Sequence, residues 1–202
     1  MNKTPIIGIL ALQGDFEAHR RAVEAAGAHG VEVRTAAELD RCDALIVPGG
    51  ESTTMWKLLD AEQLIEPLRA FGHKKPIFGT CAGAILLAHT ANNPKTPGRG
   101  SQPTLDLMDI DVDRNAYGRQ IDSRIATVED AAGRPMEAVF IRAPIIRRTG
   151  PEVEVLARYQ GDPVWVRQGM HMATTFHPEL SGDVFGSSAP HAQFVALVRG
   201  RG

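Results

Sequence analysis

The sequence predicts a three-layer α/β fold: a mostly parallel, twisted sheet with helices on both faces and antiparallel additions at its edge. Three observations carry this. Short apolar runs alternate with helical patterns through the first half of the chain. Those runs are almost continuously apolar, as strands covered on both faces must be. Beyond Pro103 the pattern becomes a succession of short alternating segments, which read as antiparallel strands.

Taken in order, Ile6 to Leu12 reads as a first buried strand, and Gly14-Asp15 opens a helix with Phe16, Val23 and Ala26 on one face. Gly27 and Gly30 end that helix, and Val31-Glu32-Val33 returns as a short strand. Ala44 to Val47 is a third strand, closed by Pro48-Gly49-Gly50. Ser52-Thr53-Thr54 offers N-cap chemistry for a helix through Met55, Leu58 and Leu59. A further helix from about Glu62 to Phe71 precedes the strand Ile77-Phe78-Gly79. Asn92 to Pro103, rich in Pro, Gly and Asn, reads as a loop. Strands follow around Leu105 to Val112, Ile125 to Val128, Val139 to Ile141, Val153 to Leu156, Pro163 to Val166 and Met172 to Phe176. A last helix carries Phe194, Leu197 and Val198. With no internal repeat or linker, residues 1–202 read as a single domain.

Composition excludes several classes. A formal net charge of −2, without a Lys/Arg block, gives no footprint for nucleic acid. No apolar run approaches the roughly 20 residues that span a bilayer. The run Ile6 to Leu12 follows one Lys and leads into Gln13-Gly14-Asp15, which is no signal-cleavage site. Two cysteines, Cys42 and Cys81, are too few for a disulfide framework and fit a reducing cytoplasm.

Three short stretches carry candidate chemistry. Gly79-Thr80-Cys81-Ala82-Gly83 has the form G-x-nucleophile-x-G at a strand-to-helix corner. Glycines there relieve crowding around a strained nucleophile, and the helix N-terminus favours a thiolate. A buried structural cysteine would look the same from this pentapeptide alone. His177-Pro178-Glu179 follows an apolar strand, so the imidazole and carboxylate at i and i+2 lie on one side. A solvated turn is the alternative for that tripeptide. Pro48 to Ser52 can turn backbone N–H groups into a crevice, and it lacks the spacing of a phosphate-binding P-loop. Both glycine loops fall at the carboxyl ends of parallel strands, where ligands bind in such sheets. His19, His29, His73, His89, His171 and His191 show no ligand-like spacing. Surface or packing roles are expected for them, with no metal, and Cys42 reads as a structural thiol.

Taken together, "GILALQGDFEAH", "PGGESTTM", "GTCAGAILLA", "RNAYGRQIDS", "FIRAP" and "FHPEL" resemble the flavodoxin-like class I glutamine amidotransferases. Within that class the chain is similar almost end to end to the glutaminase subunits of pyridoxal 5'-phosphate synthases. Ala82, where most of the class has Leu, points to the same branch. The resemblance implies a catalytic triad of Cys81, His177 and Glu179, with the N–H groups of Gly50 and Ala82 as oxyanion hole. It implies glutamine binding by Gly50, Glu51, Ser52, Arg114, Ile141 and Arg142. It also implies hydrolysis of L-glutamine through a cysteine thioester, without a cofactor. The ammonia would pass to a (β/α)8 synthase subunit in a complex of twelve plus twelve subunits. That subunit makes pyridoxal 5'-phosphate, its product and not a cofactor here, from ribose 5-phosphate and glyceraldehyde 3-phosphate. Gln13 to Arg21 would lie at the docking surface, and docking would complete the oxyanion hole.

Three departures fall outside the implied triad: a long loop Asn92 to Pro103, Arg124 where Phe is common, and "VFGSSAP" between Asp183 and His191. Two other readings stay open at this point. One is a stand-alone cysteine hydrolase such as a γ-glutamyl peptidase. The other is a non-catalytic binding or stress-response protein that keeps an elbow cysteine, against which the His177-Glu179 pair argues.

Overall fold

Apolar strands too short to stand alone are joined here by helices that cover them. In a computed structural model, residues 4–94, 101–114, 123–181 and 188–200 are described. The first half runs β1 (Ile6–Leu10), α1 (Phe16–Ala25), β2 (His29–Val33), α2 (Ala36–Asp40), β3 (Ala44–Val47), α3 (Ser52–Ala61), α4 (Ile65–Gly72), β4 (Ile77–Thr80) and α5 (Ala82–Leu87). The second half adds β5 (Ala88–Asn92), β6 (Met108–Asp113), β7 (Ser123–Asp130), β8 (Pro135–Ile141), β9 (Ile145–Thr149), β10 (Glu154–Tyr159), β11 (Asp162–Gln168) and β12 (His171–Thr174). A 3₁₀ turn (Pro178–Leu180) and α6 (Ala189–Arg199) complete it.

Local chemistry sets the helix starts. Asp15 caps α1 by accepting from the Ala18 N–H at 3.1 Å. Thr35 and Glu38 close a reciprocal capping box on α2, a helix absent from the sequence reading although its T-x-x-E signature is there. The cap of α3 is Glu51, not Ser52: its carboxylate accepts from the Thr53 and Thr54 N–H groups at 3.1 and 2.7 Å. Ser52 is instead the first helical residue and is buried.

The main sheet has the order β2-β1-β3-β4-β12-β11-β10-β7-β8. Its first five strands form one parallel block, and β11, β10, β7 and β8 continue it antiparallel. The expected edge additions are therefore present, with one difference. β5 and β9, neither of them read in the sequence, flank β6 in a separate three-stranded sheet. The alternation of β6 buries Met108, Ile110 and Val112 in the layer of α4 and α5, off the main sheet.

Two apolar layers sandwich the main sheet. On one face Ile7, Ile9, Ile46, Phe78 and Met172 meet Val23 of α1 and Phe194 and Val195 of α6. On the other, Leu45, Val47, Ile77 and Ala173 meet Met55, Leu59, Leu68 and Leu86 and the small sheet. Among the described residues no helix is long and apolar enough to cross a membrane.

Phe194 is fully buried with its ring 5.5 Å from that of Phe78. Replacing it with Ala removes the main apolar anchor of α6. Urea denaturation should show a loss of roughly 3–5 kcal/mol.

Candidate active site

Three adjacent parallel strands, β3, β4 and β12, deliver the three candidate stretches to one edge. Val47 pairs with Gly79, Gly79 with Ala173, and Thr80 with Thr174. Their carboxyl ends therefore project Gly49-Gly50, Cys81 and His177 into one crevice.

The corner after β4 is strained at its nucleophile candidate. Cys81 holds φ 49° and ψ −103°, a left-handed region that a side chain disfavours. Its N–H donates to the Thr174 carbonyl at 2.8 Å, locking the turn to β12. Both flanking glycines are required by space. A Cβ on Gly79 would lie 2.6 Å from the Gly83 carbonyl, and one on Gly83 would lie 2.1 Å from the Val47 oxygen. The G-x-C-x-G pattern is thus a packing requirement as well as a chemical one.

His177 Nδ1 donates to Glu179 Oε1 at 2.7 Å, which leaves Nε2 to face the thiol. Burial disfavours the imidazolium, but hydrogen bonding to Cys81 and to Glu179 outweighs it and raises the His177 pKa to about 10. Burial likewise disfavours the Glu179 carboxylate. The opposing pull of His19 and His177 holds it far below the usual carboxylate range. The Cys81 Sγ also lies 3.8 Å from the Ile141 carbonyl oxygen.

A pocket of about 130 Å³ is lined by Gly50, Glu51, Ser52, Cys81, Ile85, Arg114, Ile141, Arg142 and His177. Every residue expected from the sequence to bind substrate lines it, together with the thiol and the imidazole. Glu179 lies behind His177, and Ala82 opens α5 beside the thiol, where a first-turn N–H has no partner within the helix. A larger cavity of about 700 Å³, between β8, β11 and α6, contains neither Cys81 nor His177. Chemistry, not size, distinguishes the smaller one.

The groups around the pocket are themselves held. Arg114 donates to Thr53 Oγ1 at 2.9 Å and to Gln102 Oε1. Gln102 also accepts from Ser52 Oγ at 2.9 Å. Burial of Glu51 works against its charge, but donors from Thr54 and Thr53 prevail and lower its pKa to about 2. With its amide oxygen toward the Glu51 N–H (2.9 Å) and its nitrogen toward the Glu51 carbonyl (3.2 Å), Gln13 clamps the glycine loop. A Cβ on Gly49 would come within 2.3 Å of the His177 ring. Sequence reasoning missed Gln13 and Gln102 as supports, since neither stands in a motif with a chemical reason for an amide.

Other expectations divide. Cys42 is structural, fully buried with its thiol 3.4 Å from the Glu38 carbonyl, and burial pushes its pKa up to about 11. His19 and His191 take the packing rather than the surface alternative: both are completely buried, and both belong to a polar row that reaches Glu179. His29 lies in β2. Arg124 lies with its guanidinium 4.9 Å from the Tyr159 ring and 5.8 Å from that of Phe140, covering aromatic surface. Residues 115–122 of "RNAYGRQIDS", 95–100 of the long loop and 182–187 of the Asp183–His191 segment lie outside the described residues.

The SNO glutamine amidotransferase family matches residues 9–194. The chain is 53% identical over 184 residues to a pyridoxal 5'-phosphate synthase subunit PdxT of Solibacter usitatus, covering 88% of this chain and 93% of that one. It is 52% identical over 194 residues to the subunit of that name from Koribacter versatilis, covering 96% and 95%. A crystal structure of a glutamine amidotransferase superposes with a TM-score of 0.83 at 43% identity, covering 95% and 98%.

Two outcomes test the site's physics. Gly83→Ala should cost roughly 1–3 kcal/mol in urea denaturation, because neither the Val47 backbone nor the corner can yield freely. His177, whose pKa is raised on folding, stabilises the folded state fully below about 6.5 and loses that contribution as pH rises through about 10. The stability gap between wild type and His177→Gln should therefore narrow across that window. A constant gap would contradict the pairing.

Proposed function

The chain belongs to the SNO glutamine amidotransferase family, and from that premise we propose how its pocket at Cys81 performs the family's chemistry. The chain is a glutaminase that releases ammonia from L-glutamine for a pyridoxal 5'-phosphate synthase subunit, in keeping with its relatives. One observation carries the assignment of the site. Cys81, His177 and the implied glutamine-binding residues line one pocket, with Glu179 2.7 Å behind the imidazole.

His177 Nε2 holds the proton given up by the Cys81 thiol, and the resulting thiolate attacks the side-chain carbonyl carbon of glutamine. The Gly50 and Ala82 N–H groups receive the oxyanion. Collapse breaks the C–N bond, and His177 returns its proton to the departing ammonia. The γ-glutamyl thioester is then hydrolysed by a water that His177 deprotonates, giving glutamate and the free thiol. Glu179 keeps His177 in the tautomer these steps need. Arg114 and Arg142 supply guanidinium groups suited to the α-carboxylate, with Glu51, Ser52 and the Ile141 backbone at the other walls.

The rest of the reading is assembly. Residues 1–202 act as one domain in the cytoplasm. The chain docks on a (β/α)8 partner in a complex of twelve plus twelve, with Gln13 to Arg21 at the contact. The Gln13 clamp on the glycine loop supports a route from that contact to the Gly50 N–H.

The test is glutamine hydrolysis with and without the synthase subunit. Wild type should be strongly stimulated, and Cys81→Ala should lose at least roughly a thousandfold in kcat. Full hydrolysis by Cys81→Ala in the complex would falsify the assignment. Substantial turnover of γ-glutamyl peptides by the chain alone would favour a stand-alone hydrolase. Arg114→Lys, which keeps charge but loses the fork, should raise KM by roughly tenfold or more with a smaller effect on kcat.

A further inference from the structure

Behind Glu179 lies a row of buried polar groups that the proposed chemistry does not use. Glu179 is a buried carboxylate with two oxygens to satisfy. Oε1 takes the His177 Nδ1–H. Oε2 is sealed from solvent, with no partner of full hydrogen-bond geometry, and the Nε2 of His19 lies 3.3 Å from it. The same Nε2 lies 3.3 Å from Thr80 Oγ1, on the residue immediately before Cys81. On its other side His19 Nδ1 is 2.8 Å from His191 Nε2, and His191 Nδ1 is 2.7 Å from Ser188 Oγ. The row thus joins α1, β4, the 3₁₀ turn and α6 across 172 residues of sequence.

Filling a core with two imidazoles costs solvation that apolar side chains would not. Here the hydrogen positions leave one constant. An ionised carboxylate only accepts, so the 3.3 Å approach of His19 Nε2 to Glu179 Oε2 is favourable only with the proton on Nε2. Burial holds His191 neutral, with its pKa pushed down to about 3. A neutral His19 accepts at Nδ1 from His191 Nε2–H, and Ser188 then donates to His191 Nδ1. A cationic His19 donates at Nδ1, and the two outer bonds reverse. In both arrangements Nε2 keeps its proton, between Glu179 Oε2 and Thr80 Oγ1.

We propose that His19 is a positioning residue for the glutaminase reaction. Its Nε2–H restrains Glu179 Oε2 so that Oε1 stays aimed at His177, and its contact with Thr80 fixes the carboxylate relative to the nucleophile's strand. The inference rests on the triad assigned above. His19 touches no reacting atom. Loss of its N–H frees the carboxylate to rotate, and the imidazole loses the orientation that presents Nε2 to the thiol.

The test uses the complex with the synthase subunit and compares wild type, Cys81→Ala, His19→Gln and His19→Asn. A glutamine amide nitrogen reaches the place of His19 Nε2, whereas the shorter asparagine amide reaches only that of Nδ1. His19→Asn should lower kcat roughly 10- to 100-fold, the cost of a lost hydrogen bond to a buried charge, with KM changed by no more than about twofold. His19→Gln should recover to within about threefold of wild type. Equal impairment of the two variants, near-normal kcat in His19→Asn, or a loss confined to KM would each overturn the proposal. Ring-nitrogen NMR shifts of the wild-type protein give a readout that needs no variant to fold. They should show His19 protonated at Nε2, and an unprotonated Nε2 would overturn the proposal equally. Retained hydrolysis in Cys81→Ala would sink the triad itself and this inference with it. Its loss there beside an unaffected His19→Asn would sink the inference alone.

Discussion

The left-handed backbone of Cys81 is the constraint on which the rest of the structure depends. Holding a side-chain-bearing residue at φ 49° costs on the order of 1–3 kcal/mol and persists only where the surroundings leave no alternative. Those surroundings are specific. Gly79 admits the return of the chain at Gly83, Gly83 lets α5 sit directly on the Val47 carbonyl, and the Thr174 carbonyl ties the Cys81 N–H to the neighbouring strand. The strain lifts the thiol out of the end of the sheet. The contacts that impose it also fix the distance from β4 to β3 and β12, and so to the glycine loop and His177.

Electrostatics then organises what the backbone has gathered. A carboxylate as deeply buried as Glu179 is tolerable only with positive or donating partners, and it has a histidine on each side. The pair with His177 keeps the imidazole charged in the resting site, ready to act as an acid. The acidic cap of α3 and the amides of Gln13 and Gln102 do comparable work for the glycine loop and for Arg114, in a region where loose side chains would blur the pocket.

What the sequence disclosed, and what it withheld, follow from the range of each interaction. Strands β1, β3 and β4 were legible because burial on both faces leaves unbroken apolar runs. The Cys81 corner was legible because Gly79 answers to Gly83, four residues away, although Gly83 itself answers to Val47 on β3. The α2 capping box was equally local and was passed over, since the helix it starts has only one fully buried residue. Glu51 displaced Ser52 as the α3 cap because its longer carboxylate reaches the Thr53 and Thr54 N–H groups, and Glu is not among the usual capping residues. β5 and β9 are short, partly polar strands whose identity comes from pairing with β6. Least legible were His19 and His191, ordinary helical histidines until α1 and α6 bring them together at the back of the triad.

The two cysteines, finally, divide the protein's thiol chemistry. Cys42 is sealed at the seam of β1 and α2, so close-packed that a Cβ on Gly8 would come within 2.8 Å of its sulfur. Its thiolate is disfavoured at neutral pH while Cys81 lines an open pocket beside an imidazolium. Covalent labelling of the native chain therefore counts one site, and a second equivalent marks separation of the sheet from its covering helices. The molecule carries an internal pair of reporters, one for the integrity of its chemistry and one for the integrity of its frame.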